Sequence, residues 1–167
     1  MVNYDTLYAL LGNLTPLTED CGSVCGAVCC KGSDKDGMLL FPGEAAHLQC
    51  EERVVCERAR ELYVCDGTCD REKRPLSCRL FPLFPILTDE GRVQAVYDPR
   101  AYRLCPLVQL ADNVRLDRAF VRAVRAVGRK LASSPEGMAF LQQQTAEIRE
   151  INRFLQLDTK RPPICRR

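Results

Sequence analysis

Residues 21–30 read Cys21-Gly-Ser-Val-Cys25-Gly-Ala-Val-Cys29-Cys30, four thiols in ten residues. Thiolate is a soft ligand that suits zinc or iron–sulfur centres, and four sulfurs satisfy a tetrahedral site. Gly22 and Gly26 remove side-chain bulk and admit positive φ, so the segment can fold around an ion and aim amides at sulfur. A helix here would align Cys21, Cys25 and Cys29 at i, i+4 and i+8, although the interleaved Gly and Val disfavour one. Small cysteines filling a core are the competing account. Two adjacent thiols and glycines between the others speak against it.

A second group follows: Cys65, Cys69 and Cys78, within Arg74-Pro75-Leu76-Ser77-Cys78-Arg79-Leu80-Phe81-Pro82, and then Cys105-Pro106. Arg74 and Arg79 flank Cys78, where guanidiniums could donate to sulfur and offset thiolate charge, or could form surface ion pairs. Glu44 opens a helix, where the dipole favours a carboxylate, or it could pair with one of these arginines. The first cluster together with Arg-Pro-x-x-Cys-Arg, an aromatic-Pro and a later Cys-Pro resembles the YkgJ-like, zinc- or iron-chelating CxxCxxCC family over residues 19–107. The family pattern is C-x2-C-x2-C-C; this chain reads C-x3-C-x3-C-C. The resemblance implies a cysteine cage and no established reaction. Carried over residue by residue, its ligands are Cys21, Cys25, Cys29, Cys30, Cys65, Cys69, Cys78 and Cys105, with Arg74, Arg79 and Glu44 around them. Eight sulfurs exceed one mononuclear site and could serve two zincs, a thiolate-bridged pair or one cubane cluster with spare thiols.

The remaining thiols are weaker candidates. Cys50 and Cys56 fall six apart on an expected helix, off a common face, and read as core filling. His47 is the sole histidine and precedes Cys50 by three, but a lone His is more often merely hydrogen-bonded or exposed. Cys165, beside Pro162-Pro163, reads as a free tail thiol.

The composition frames these clusters. The chain has 167 residues, 11 of them Cys, and nine of those lie between 21 and 78. A chain this long buries a real core without disulfide staples. No run of eighteen apolar residues occurs, so no membrane span is expected. The N-terminal stretch lacks a positive n-region and a small-residue cleavage site, with Asp5 where a signal peptide carries Lys or Arg. The expectation is a cytoplasmic protein with reduced thiols. Residues 1–70 hold 12 acidic and 5 basic side chains, net −7, and residues 71–167 hold 10 acidic and 19 basic, net +9. A bound cation would offset the acidic first part.

The elements that must position the thiols read as an α+β chain: a cysteine-rich domain over 1–110 and a C-terminal helical hairpin with a basic tail over 111–167, packed as one unit. Tyr4, Leu7, Tyr8 and Leu11 predict a short helix over 2–12. Met38–Phe41 reads as a strand. Leu48, Val55, Ala59 and Leu62 predict a helix from Glu44 to about 62. Residues 63–83 read as irregular, and Leu83–Tyr97 as a hairpin around Asp89-Glu90-Gly91. Leu116, Phe120, Val124, Val127 and Leu131 predict a helix over 114–132. Ser133-Ser134-Pro135 ends it and caps another that runs to about 156, with Met138, Leu141, Ile148 and Leu155 on one side.

The first of those helices also carries Arg118, Arg122, Arg125 and Arg129 at i, i+4, i+7 and i+11. Such a stripe is a solvated face, a cover for the acidic first part, or a contact for an acidic protein partner. Nucleic acid is disfavoured, because no aromatics are interleaved and no reader motif is present. Three functional classes follow: a metal-binding protein, an interaction module using the arginine-rich helix, and an enzyme whose centre does redox chemistry or modifies protein. Some members of the resembled family are linked to protein-lysine methylation, but the chain offers no methyl-donor site, nucleophile triad, carboxylate pair or phosphate loop.

Overall fold

The computed structural model of the chain describes residues 2–31, 37–50, 53–57, 60–65, 67, 71–111, 113–157, 162 and 164. The candidate ligand Cys69 and the tail thiol Cys165 lie outside them.

The strongest periodicity forms the scaffold. Leu116, Phe120, Val124, Val127 and Leu131 are all fully buried. The helix itself starts four residues later than the pattern, because Asp117 turns its carboxylate onto the amides of Ala119 and Phe120. This long helix, Arg118–Ala132, is followed after two residues by a second, Pro135–Phe154, capped by Ser134 with Pro at its first position. They pack on each other and on a hairpin of two antiparallel strands, Leu83–Leu87 and Val93–Tyr97, which pair from Leu83↔Tyr97 to Leu87↔Val93. Gly128 permits the close approach: a Cβ there would stand 2.6 Å from both Pro85 Cβ and Val93 Cγ1. On the second helix Leu141 and Ile148 are buried, whereas Leu155 is exposed.

In chain order the helices are α1 (Tyr4–Leu11), α2 (Cys21–Cys25), α3 (Glu44–Leu48), α4 (Leu76–Leu80), α5 (Pro106–Gln109), α6 (Arg118–Ala132) and α7 (Pro135–Phe154). The strands are β1 (Gly37–Leu39), β2 (Val54–Glu57), β3 (Arg60–Val64), β4 (Leu83–Leu87) and β5 (Val93–Tyr97). One continuous core joins α1, α4, the β4–β5 hairpin, α6 and α7, and reaches Leu39, Phe41 and Cys105. The architecture is α+β, with the C-terminal helix pair expected from sequence.

The expected 44–62 helix is overturned. It stops after five residues, where Gln49 turns to φ 51°. The chain then forms β2 and β3, which complete an antiparallel sheet in the order β1-β3-β2. Val54 pairs with Tyr63 and Glu57 with Arg60. β-branched Val54 and Val55 favour the pleated surface over the helix. The two cysteines of this stretch part ways. Cys50 is buried with Leu40, Ala45 and Tyr63, as core filling requires. Cys56 lies exposed on β2, so it fills no core.

Candidate metal centre

The first cluster folds as a turn of helix, a break and a 3₁₀ turn. Asp20 caps α2 through the amide of Gly22. Gly26 (φ 66°) and Ala27 (φ 52°) then enter the left-handed region and end the helix before Val28–Cys30 begins its 3₁₀ turn. Cys21 and Cys25 thus share α2, while Cys29 and Cys30 sit on the far side of the break.

Three more thiols arrive from elsewhere. Cys65 follows β3 and its sulfur accepts from the Gly67 amide at 3.4 Å. Gly67 has φ 87°, and a Cβ there would stand 3.1 Å from the Cys30 carbonyl, so only glycine lets this loop lie against the first cluster. Cys78 lies on α4, and Cys105 is buried immediately before α5. All seven thiols line one cavity of about 160 Å³. That is roughly ten times the room a single water requires. Seven of the eight sulfurs proposed from the sequence therefore meet, from four separate stretches of chain. His47, Cys50 and Cys56 do not line it. His47 instead stacks on Tyr4 and lies tilted against Tyr8, 5.3 Å from each ring centroid.

Three of these thiols, Cys21, Cys29 and Cys105, hold their protons more tightly than an ordinary cysteine. Burial pushes Cys21 up to about 11, with Cys25, Asp20 and Cys105 adding to the shift and Arg71 opposing it. Burial pushes Cys29 up to about 12, reinforced by Cys30 and then by Cys21 and Cys25. Burial also raises Cys105, against the amides of Leu107 and Val108. The thiols thus raise one another's proton affinity, so a second thiolate beside a first is disfavoured. Among the described residues, however, no group of three or more His, Cys, Asp or Glu side chains is arranged to hold a metal ion. The donor set fits a thiolate centre in kind and number, and the sulfurs are gathered around a space rather than converged on a point.

Three arginines complete the lining: Arg71, Arg74 and Arg79. The sequence flagged the last two; Arg71 had no signal beyond its charge. Its Nη2 donates to the Leu14 carbonyl at 2.6 Å, and its buried Nε has no partner among the described residues. Arg79 works on the backbone. Its Nε donates to Arg74 O at 3.2 Å, and its Nη2 to Arg71 O at 2.8 Å and Glu72 O at 2.9 Å. Its guanidinium also lies over the Tyr8 ring, 4.5 Å from the centroid. It thereby ties the 71–74 turn to α4 and places both against the cavity.

Glu44 is fully buried in the first turn of α3. Its carboxylate accepts from the Phe41 amide at 2.9 Å, the Leu76 amide at 2.6 Å and the Tyr8 hydroxyl at 2.6 Å. Burial raises its proton affinity, while these three donors and Arg79 pull it down. The Leu76 amide is the first of α4, so Glu44 caps the helix that carries Cys78. Ser77 fixes the same helix by donating to the Leu39 carbonyl.

No helix among the described residues is long and apolar enough to cross a membrane. Compared with family models, curated proteins and solved structures, the chain matches none.

Proposed function

We propose that this is a metal-binding protein whose cysteine cage holds zinc or an iron–sulfur cluster. The observation that supports it is the meeting of seven thiols, spread from Cys21 to Cys105, around one cavity. Although Cys105 belongs to the apolar core and Cys21 packs against it, all seven thiols line a common space beside three cations. The sulfur count favours two four-coordinate ions, a thiolate-bridged pair or one polynuclear centre over a single ion. The arginines would offset the net negative charge that a thiolate centre retains. The family resemblance points the same way. Anaerobic purification followed by metal and sulfide analysis and a visible spectrum tests it. A brown protein with iron and sulfide, or a colourless one with stoichiometric zinc, supports the reading. A folded, metal-free protein that takes up neither overturns it.

A second reading, an acidic protein partner docked on α6, draws on the arginine stripe. Arg118, Arg122 and Arg129 are exposed and Arg125 is half-buried. None of the four is ion-paired among the described residues. The described acidic side chains of residues 1–70 therefore do not cover this face. Replacing all four arginines by serine and finding partner binding unchanged would remove this reading.

A further inference from the structure

β2 is an outer strand of the β1-β3-β2 sheet, and among the described residues no strand pairs with its outer edge. Successive side chains on a strand point to opposite faces, and Val55 and its neighbour Cys56 are both exposed, so neither side of this edge is covered. Sheet edges are usually blunted by proline, a bulge or a charge at the centre. β2 is short but has none of these: its register with β3 is unbroken, and its centre is Val55-Cys56.

The sheet carries an apolar row to this edge. Leu39 pairs with Leu62 and Leu62 with Val55, so the three lie side by side on one face. Leu39 is buried, Leu62 half-buried and Val55 48% exposed. The row thus runs out of the core and stops at an open position. Two residues to either side of Val55 stand opposite charges, Arg53 just before β2 and Glu57 at its end, both exposed. Glu57 has no ion pair among the described residues. Arg53 hydrogen-bonds Tyr63, and its guanidinium has further donors to give.

A second β2 laid antiparallel about a twofold axis at Val55 matches each of these features. Val55 meets its own copy, which continues the apolar row through the axis. Val54 meets Cys56 and Arg53 meets Glu57, each pair occurring twice. Pairing centred on a residue joins positions of like phase, so outward N–H groups meet outward carbonyls. Moving the axis by one residue sets Val55 opposite Arg53 or Glu57 instead, an apolar side chain against a charge.

We propose that β2 is a dimerisation edge, on which a second copy of this chain pairs antiparallel about Val55 and joins two three-stranded sheets into one of six strands. The interface is independent of the thiol cavity and of what that cavity binds.

The test is sedimentation velocity of the full-length chain, in reductant, over a concentration series. A monomer–dimer equilibrium is expected, and a monomer at every concentration overturns the proposal. Val55→Glu should shift the equilibrium to monomer, because the axis turns one substitution into two facing carboxylates. Glu57→Arg should weaken association about tenfold, through two lost ion pairs and two repulsions. If either variant leaves the dimer unchanged, the proposal is overturned. The register is read with Val55→Cys combined with Cys56→Ser, oxidised in air. Directly opposed antiparallel residues stand about 4.5–5.5 Å apart at Cα, within reach of a disulfide. A bridge between the two 55 positions in peptide maps supports the proposal, and bridges only elsewhere overturn it.

Discussion

The Tyr8 hydroxyl donates a 2.6 Å hydrogen bond to the carboxylate of Glu44, 36 residues further along the chain. Through that contact α1 holds α3, and through the same carboxylate α3 holds α4 with Cys78. Arg79 closes the arrangement over the Tyr8 ring. Glu44→Gln keeps the shape but replaces one accepting oxygen with a donor, leaving one of three buried donors unmatched. Chemical denaturation should show a loss of about 2 kcal/mol. Tyr8→Phe, which removes only one donor, should cost about 1 kcal/mol.

The thiols set a pH dependence. Unfolded cysteines ionise near the ordinary value of 9.0, whereas folded Cys21 and Cys29 keep their protons to about 11 and about 12. Between those values the unfolded state binds fewer protons, so stability falls as pH rises. Thermal melts of the metal-free protein should decline above pH 9. The decline should flatten in the Cys21→Ser, Cys29→Ser double variant. Metal addition at neutral pH should release protons, about four for each four-thiolate ion, measurable in weak buffer.

Cysteine replacements should sort by position. In the metal-loaded protein, Cys25→Ser or Cys78→Ser should lower metal content and cost at least about 3 kcal/mol, a fall of about 6–12 °C in melting temperature. Cys56→Ser, on the exposed β2, should stay within about 0.5 kcal/mol. Full occupancy and unchanged melting in both Cys25 and Cys78 variants would contradict the metal reading.

Gly67 carries two constraints, a φ of 87° and the nearby Cys30 carbonyl. Gly67→Ala should cost about 1–2 kcal/mol from the left-handed backbone alone. It should also push the Cys65 loop off the first cluster, seen as weaker metal retention against a chelator.

Much of this was legible in the sequence, for identifiable reasons. The buried stripe of α6 repeats over four turns, and the β4–β5 hairpin has two apolar runs around one turn. The clustered thiols are chemically unusual enough to announce a cavity. The 44–62 stretch misled because Leu48, Val55, Ala59 and Leu62 happen to fall at helical spacing. The strands that form there are short and half-wet, with Val55 still 48% exposed, so no alternation contradicts the helix. The partners of Glu44 were invisible for another reason. Tyr8 and Leu76 lie 36 and 32 residues away, and no local pattern encodes such a meeting. Arg71 and Gly67 had the same defect, since their roles exist only once the loops are stacked.

The cavity walls span the chain from Cys21 to Cys105, which fixes when they can close during synthesis. The first four thiols are complete at Cys30, and 75 residues separate them from the last. At about 5–20 residues per second, that interval lasts about 4–15 s. Throughout it the nascent chain presents four soft donors before Cys105 and the α5 amides have been made. If the cavity holds a metal, loading of the finished site would require tertiary closure over a long loop, unlike a compact zinc ribbon whose ligands emerge together. Metal retention would then report completed folding through residue 105, and a ribosome-stalled chain ending before it should exchange metal freely with chelator.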